Sequence, residues 1–110
     1  MKNFKKLKIW QHVMNLVAMT YKLAGELPKE EKFGLKSQTS NIAEGSAKSS
    51  NKEYGQFLEY SLGSAYELET QVLIIDMLNY GTSQLRKELL AGIDEEQKMI
   101  QSFIQTVSKR

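Results

Sequence analysis

The most informative absence in this chain of 110 residues is that of cysteine. Without a thiol, the protein has no disulfide, no cysteine nucleophile and no cysteine-ligated zinc or iron–sulfur cluster. One proline and seven glycines leave few positions at which the chain is punctuated by a sharp turn. We therefore expect a small number of long elements.

Long apolar runs are also absent. No run approaches the roughly 20 residues that a helix needs to cross a bilayer, and the lysine-rich start lacks the apolar segment of a signal peptide. We therefore expect no membrane contact and a cytoplasmic location. The length, with 41% hydrophobic and 25% charged residues, is typical of one soluble globular domain spanning residues 1–110.

A first helix is predicted over residues 4–25, because apolar residues recur there every three or four positions. Two apolar stripes lie about 120° apart around this helix, although one would suffice for a monomeric bundle. The main predicted face consists of Phe4, Leu7, Trp10, Val13, Met14, Val17, Tyr21 and Ala24, and the second stripe consists of Ile9, Leu16, Leu23 and Leu27.

A second helix is predicted over residues 28–44. Pro28 suits its first turn, and Gly45 is expected to form its left-handed C-terminal cap. Its apolar stripe is thin and consists of Leu35, Ile42 and Ala43. Ser50 is then expected to be the N-cap of a capping box that begins the third helix.

The third helix is predicted over residues 51–79 and is apolar on two sides. Gly63, between small and apolar neighbours, predicts a close helix crossing at that point. The main face consists of Tyr54, Phe57, Leu58, Ser61, Ala65, Leu68, Val72 and Ile75, and the second stripe consists of Leu62, Tyr66, Leu73 and Met77.

A fourth helix is predicted over residues 83–107. Gly81 is expected to cap the third helix, with Thr82 or Ser83 as the N-cap of the fourth. Because short connections make successive helices run in opposite directions, the predicted fold is an all-α, antiparallel up-and-down four-helix bundle.

The sequence has few residues that could form a catalytic or metal site. His12 is the only histidine and has no partner at Glu-x-x-His spacing, which argues against a ferritin-like di-iron centre. Glu67 and Glu69 lie about 200° apart on one helix, so we expect one to be solvated and the other to bind a neighbouring helix. The stretch from Gly45 to Ser50 lacks the P-loop pattern and is interpreted as a corner between helices. No catalytic residue, cofactor or metal ligand is predicted.

Five segments carry a resemblance to a known family, in the same order along the chain. They are FKKLKIWQ (4–11), LPKEEKFGLKSQ (27–38), SNIAEGSAKSS (40–50), EYGQFLEYSLGSAYELETQ (53–71) and LNYG (78–81). In these segments the chain resembles the bacterial four-helix bundle proteins encoded in 23S rRNA intervening sequences. The fourth helix is similar to the family only in its pattern.

The resemblance implies a compact four-helix subunit that assembles into a ring-like homopentamer. It also implies similarity to the accessory variability proteins of diversity-generating retroelements, which partner a reverse transcriptase and bind nucleic acid through basic surfaces. No enzymatic activity is established for the family, so a non-enzymatic protein is implied. The two-sided first and third helices independently favour an oligomer.

The chain departs from the family between Gln38 and Ser40. Family members carry about eight further residues there, including a basic pair and a proline, whereas this chain has only Thr39. A true deletion of eight residues would rotate the downstream helix face by about 80° and require repacking. We favour the alternative, a sequence that omits these residues, and an intact mass of 12.6 kDa would contradict it.

Two functions remain open at this point. The first is an oligomeric accessory protein that binds RNA or DNA, and the second is a scaffold or adaptor that recruits a partner protein through its surface. The net charge of +2 does not by itself indicate nucleic-acid binding, but lysines are concentrated near the N-terminus. The candidate nucleic-acid-binding residues are Lys5, Lys6, Lys8, Lys36, Lys48 and Lys52.

Overall fold

The structure, a computed structural model, describes residues 3–48 and 54–108. These residues form a short 3₁₀ turn, Phe4–Lys6, and four α-helices, and they contain no strand. The all-α prediction is therefore confirmed. The helices are α1 (Lys8–Ala24), α2 (Lys29–Lys48), α3 (Tyr54–Met77) and α4 (Ser83–Ser108).

Each helix packs against the helices before and after it, and α1 also packs against α4, which closes the bundle. The bundle measures 44 × 20 × 20 Å. Neighbouring helices run in opposite directions, because their residues meet in reverse order of number. Between α1 and α4, His12 meets Glu96 and Glu26 meets Thr82. Between α2 and α3, Gln38 meets Glu67 and Ile42 meets Ser61. Between α3 and α4, Glu69 meets Gln97 and Asp76 meets Arg86.

The core of the bundle is one cluster of aliphatic side chains contributed by all four helices. On α3 the predicted main face is the buried one, from Leu58 to Ile75, with Ser61 and Ala65 included. The apolar residues of the cluster are Ile9, Val13, Leu16, Leu23, Leu27, Leu35, Ile42, Leu58, Ala65, Leu68, Val72, Ile75, Leu89, Ile93 and Ile100.

The face of α1 that enters the core is centred on the stripe predicted as secondary, from Ile9 to Leu27, which is buried. Of the predicted main face, Val13 and Ala24 are also buried, whereas Met14 and Tyr21 are exposed. The two stripes have the same helical period, so periodicity could not rank them. Compact isoleucine and leucine side chains fill the narrow space inside the bundle, while the tyrosine keeps its polar end in water.

The prediction that the first helix begins at Phe4 was also wrong. Leu7 has an extended backbone, with φ −71° and ψ 129°, and separates the 3₁₀ turn from α1. A continuous helix would have placed Lys5, Lys6 and Lys8 in its first turns, where the helix dipole disfavours positive charge. The break instead lets Leu7 pack against the core.

Gly45 does not cap α2, contrary to the prediction. The helix continues to Lys48, and Gly45 is buried against α3. A Cβ atom at this position would overlap the Ser61 hydroxyl and lie 2.9 Å from the Phe57 carbonyl oxygen. The glycine is therefore required for a close helix approach, and a left-handed backbone plays no part.

The prediction of a close helix crossing at Gly63 was wrong. A Cβ atom at Gly63 would have nothing within 4 Å, and the residue is exposed on α3. The α2–α3 crossing lies instead at Gly45 and Ser61, whose hydroxyl donates to the Ile42 carbonyl at 3.1 Å. Small residues thus mark a crossing on α3, but the glycine that permits it belongs to α2.

The cap of α3 differs from the prediction. Helix α3 ends at Met77, and the left-handed residue that follows it is Asn79, with φ 58°. The Tyr80 N–H donates to the Ile75 carbonyl at 3.1 Å, which is the hydrogen bond of a left-handed C-terminal cap. Gly81, with φ +71°, is left-handed within the connection and does not cap the helix.

Thr82 precedes α4 directly, and its backbone N–H and hydroxyl both donate to the Glu26 carboxylate, at 2.6 and 3.0 Å. This contact ties the end of α1 to the start of α4.

Helix α2 passes through residues 38–40 without a break. Leu35, Thr39 and Ile42, which lie before, within and after this point, are all buried on the side facing the core. The sequence as it stands therefore forms one helix of consistent register. The capping box predicted at Ser50 lies outside the described residues.

Candidate functional site

Four of the predicted lysines lie at one end of the bundle. Lys5 and Lys6 belong to the 3₁₀ turn, Lys8 is the first residue of α1, and Lys48 is the last residue of α2. Because α1 and α2 are antiparallel, the start of one adjoins the end of the other, and the turn itself packs against α2. All four side chains are exposed. We call these four residues the basic end.

The other two candidate lysines do not join the basic end. Lys36 lies in the middle of α2, half-buried, with its ammonium 4.8 Å from the centre of the Tyr21 ring. This cation–π contact across α1 and α2 explains the position of Lys36 without a ligand. Lys52 lies outside the described residues.

Lys48 is partly engaged by its own neighbours. Its ammonium is 2.8 Å from a Glu44 carboxylate oxygen and 5.4 Å from the centre of the Phe57 ring. The hydrogen bond to Glu44, together with its charge, raises the pKa of the Lys48 ammonium. Lys48 therefore stays charged at neutral pH, but Glu44 reduces the positive potential it presents.

The N-terminal turn is held in place by an aromatic contact. Phe4 and Trp10 pack edge to face with their ring centres 5.4 Å apart, and the Gln11 side chain donates to the Lys5 carbonyl at 3.0 Å. Both rings are partly buried, which confirms the interpretation of Trp10 as a packing residue. The turn thereby presents Lys5 and Lys6 from a fixed backbone.

A shallow trough of about 550 Å³ runs beside Lys8 between α1 and α4. Lys98 lies along the same trough, although sequence reasoning did not single it out, and it pairs with Asp94 at 3.0 Å. Its position on α4 opposite Lys8 follows only from the antiparallel packing of two distant segments. The spacing of residues along the sequence could not have indicated that Lys98 lies near Lys8.

Most of the second stripe of α3 faces outward. Tyr66, Leu73 and Met77 of this stripe, with the neighbouring Ile74, are exposed on the side of the helix away from the core, and 84% of Met77 is accessible. Leu62 of the stripe is partly buried against the core. A helix that is apolar on two sides is usually covered on both. We call Tyr66, Leu73, Ile74 and Met77 the outer face of α3.

The most heavily buried charged group is Glu96, which sequence reasoning missed. Its side chain is fully buried, and its Oε1 lies 2.7 Å from Nδ1 of His12. Burial raises the pKa of the Glu96 carboxyl to about 7, although the hydrogen bond and charge of His12 act in the opposite direction. A signal was present, because Leu89, Ile93 and Ile100 place position 96 on the apolar face of α4.

The two glutamates of the third helix bind different neighbours. Glu67 accepts a hydrogen bond from Gln38 of α2, and Glu69 accepts one from Gln97 of α4 at 3.3 Å. They do not share a site, as their angular separation indicated. Glu67 is exposed to solvent and Glu69 binds a neighbouring helix, as expected, although the exposed Glu67 also accepts the hydrogen bond from Gln38.

Residues 3–48 and 54–108 hold no group of three or more histidine, aspartate or glutamate side chains arranged to bind a metal ion. None of their helices combines the length and the apolar character needed to cross a membrane.

Comparison with known proteins adds one match. Residues 5–102 match the model of a family described as 23S rRNA-intervening sequence protein. The match includes all of α1, α2 and α3 and most of α4. No curated protein matches the chain.

Proposed function

Because the chain belongs to the 23S rRNA-intervening sequence protein family, we propose that it is a non-enzymatic, oligomeric accessory protein that associates with nucleic acid. The observation that carries the proposal is the basic end, where four lysines are exposed on adjoining elements. Lysines that neutralise phosphates supply most of the sequence-independent affinity for nucleic acid. RNA and DNA both offer this ligand.

The arrangement of the basic end favours contact with an extended phosphate backbone. Lys5 and Lys6 lie on a turn fixed by aromatic packing, so little freedom is lost when they bind. Lys48 lies across the bundle end on α2, which spreads the positive charge over two elements. Lys36 is left out of the proposed interface, and Lys52 remains a prediction from the sequence.

The non-enzymatic part of the proposal is supported by the surroundings of the only histidine. Both ring nitrogens of His12 face carboxylate oxygens, of Glu96 at 2.7 Å and of Glu95 at 3.3 Å. A histidine engaged in this way has no ring nitrogen directed at a substrate.

Self-assembly is supported by the outer face of α3. Burying exposed apolar area against another copy would remove it from water at a gain of about 25 cal/mol per Å². In a closed ring, the outer face of α3 on each copy would pack against a different surface of the next copy. The number of copies, five, is taken from the resemblance.

The nucleic-acid proposal is tested by neutralising three residues of the basic end together. The variant Lys5→Gln, Lys6→Gln and Lys8→Gln is compared with wild type in fluorescence-polarisation titrations of labelled RNA and DNA over a series of salt concentrations. The magnitude of the slope of log affinity against log salt should fall by about 2 to 3, roughly one counterion for each lost phosphate contact.

The matched control neutralises three exposed lysines at the opposite end of the bundle, Lys22, Lys29 and Lys87. This control changes the net charge equally and should leave the slope within about 1 of wild type, since its residues touch no phosphate. Equal losses in the two variants would assign the binding to net charge alone. If wild type shows no salt-sensitive binding of RNA or DNA, the proposal fails.

A scaffold that recruits a different protein is the second candidate, and the outer face of α3 favours it as well. The two candidates differ in what is recovered with the protein. Affinity purification followed by sequencing of bound nucleic acid and identification of bound proteins separates them. Recovery of nucleic acid without a protein partner would count against the scaffold.

A further inference from the structure

His12 connects α1 to α4 through two carboxylates. Its Nδ1 lies 2.7 Å from Oε1 of Glu96, and its Nε2 lies 3.3 Å from Oε2 of Glu95. Glu96 is fully buried, whereas the Glu95 side chain is 68% exposed. The second carboxylate oxygen of Glu96 is also buried and has no hydrogen-bond partner in the part of the chain that the structure describes.

The burial of Glu96 sets the number of protons that the pair of His12 and Glu96 needs. A fully buried carboxylate is costly unless its charge is neutralised or paired. The pair is neutral with two protons, either as an imidazolium beside a carboxylate or as a neutral imidazole beside a protonated carboxyl. With one proton fewer, a neutral imidazole donates to the carboxylate, and the buried charge on Glu96 has lost its partner.

The other charged groups around the cluster leave Glu96 without a second cation. On α1, Lys8 lines the trough next to Glu95, and on α4, Lys98 pairs with Asp94. On α3, Glu69 accepts a hydrogen bond from Gln97. Helix α2 does not pack against α4 in the described part of the bundle. Compensation of the buried carboxylate therefore depends on His12.

We propose that His12 and Glu96 form a proton-operated latch between α1 and α4. With two protons, the latch holds α1 against α4, and this contact weakens as the pH rises toward and through neutrality and one proton leaves. His12 lies near the start of α1, one turn from Lys8, so release loosens the helix that carries Lys8 of the basic end. The latch is independent of whether the basic end binds nucleic acid.

The sign of the pH effect follows from the carboxyl of Glu96. Its pKa is about 7 in the folded protein against an ordinary value of about 4.5, so folding takes up a proton between these values. Stability is full at acidic pH, falls as the pH rises through this window, and stays lower above it. Each unit of pKa shift corresponds to about a tenfold change in the folded-to-unfolded ratio.

Hydrogen exchange of α1 amides tests the latch directly. Peptides from α1 and from α3 are followed at about pH 5.5 and about pH 8.5, with rates corrected for intrinsic exchange. In wild type, the protection of α1 relative to α3 should fall by about tenfold or more at the higher pH. In Glu96→Gln, which mimics the protonated carboxyl, the fall should be less than about threefold.

Glu95→Gln is the matched control, because it makes the same change one residue away at an exposed position. It should keep the pH dependence of wild type, since exposed ion pairs contribute little. If Glu96→Gln fails to fold by circular dichroism, Glu96→Leu takes its place, because an apolar residue of similar size is often tolerated at a buried charge. The proposal is overturned if wild-type α1 shows no such fall, or if the Glu96 variant shows the same fall as wild type.

Discussion

At the scale of single residues, three side-chain positions depend on neighbours that are distant in the sequence. Gly45 has no room for a methyl group because Ser61 and the Phe57 carbonyl occupy the space beside it. Glu96 is buried because it lies on the core face of α4, and His12 meets it from 84 positions away. In each case the residue type is compatible with the local helix, and its structural role depends on a contact with a residue that is distant in the sequence.

The two helical glycines, Gly45 and Gly63, should respond oppositely to the same substitution. Gly45→Ala should lower the free energy of unfolding by about 1 to 3 kcal/mol, because the added methyl group overpacks the α2–α3 crossing. Gly63→Ala should raise it by about 0.5 to 1 kcal/mol, because alanine favours the helix and has space there. Denaturant unfolding of both variants measures the difference.

Gly63→Ala serves as the control for Gly45→Ala, since the substitution is identical and both positions lie inside helices. Effects of the same sign at the two positions would show that helix propensity, and not the close approach of α2 to α3, decides the outcome at Gly45.

At the scale of elements, Arg86 organises the connection between α3 and α4. Its guanidinium is almost fully buried and donates to the carbonyl oxygens of Tyr80 and Gly81, both at 2.6 Å. It also binds the side chains of Asn79 and Asp76, at 3.1 and 2.7 Å. One residue of α4 thus binds two backbone carbonyls of the connection and one side chain from the last turn of α3.

Arg86→Lys should lower the free energy of unfolding by about 2 kcal/mol. An ammonium keeps the charge but cannot reproduce the planar fork of donors that reaches four acceptors at once. The measurement is chemical denaturation, with hydrogen exchange of residues 76–82 as a local readout.

The control for Arg86→Lys is the reverse exchange at the next residue, Lys87→Arg, which is exposed. It should change stability by less than about 0.5 kcal/mol. A loss for Arg86→Lys as small as this would mean that the hydrogen bonds of Arg86 contribute little to the α3–α4 connection.

At the scale of the whole molecule, the bundle has more apolar surface than its own core uses. The inner side of α3 fills the core, while the outer face of α3 adds Leu73, Ile74 and Met77 to the surface. On α1, Met14 and Tyr21 are exposed in the same way. Apolar patches of this kind commonly mark surfaces that bind another protein or another copy.

Replacing Leu73 and Met77 with glutamine should dissociate the proposed oligomer. Light scattering of wild type should give a multiple of the 12.6 kDa subunit mass at micromolar concentration, and the double variant should shift toward 12.6 kDa. The reason is that polar side chains at these two positions remove the gain from burying apolar area.

The matched control introduces glutamine at Lys87 and Ala91, two exposed positions with the same spacing on α4. This variant should keep the mass of wild type. A wild-type mass of 12.6 kDa would contradict self-assembly and leave the outer face of α3 to a different protein.

Much of the architecture could be predicted from local pattern. The period of apolar residues indicated four helices, but the cap of α3 was assigned to Gly81, whereas Asn79 is the left-handed residue that follows the helix. The same reasoning failed at Gly45, since a glycine that allows close packing and a glycine that ends a helix look alike in sequence. Among the predicted lysines, four were brought together and Lys36 was not, because only antiparallel packing decides which ends adjoin.

The sequence by itself therefore determined the fold class, the resemblance to the family and the approximate positions of the helices. These properties follow from interactions within a few helical turns, which the spacing of apolar residues along the sequence is enough to indicate. The tertiary structure decided which stripe of α1 is buried, where α2 and α3 touch, and that Glu96 meets His12. Those outcomes depend on contacts between segments that are far apart in the chain. The energies of these contacts depend on burial, which a local sequence pattern does not report.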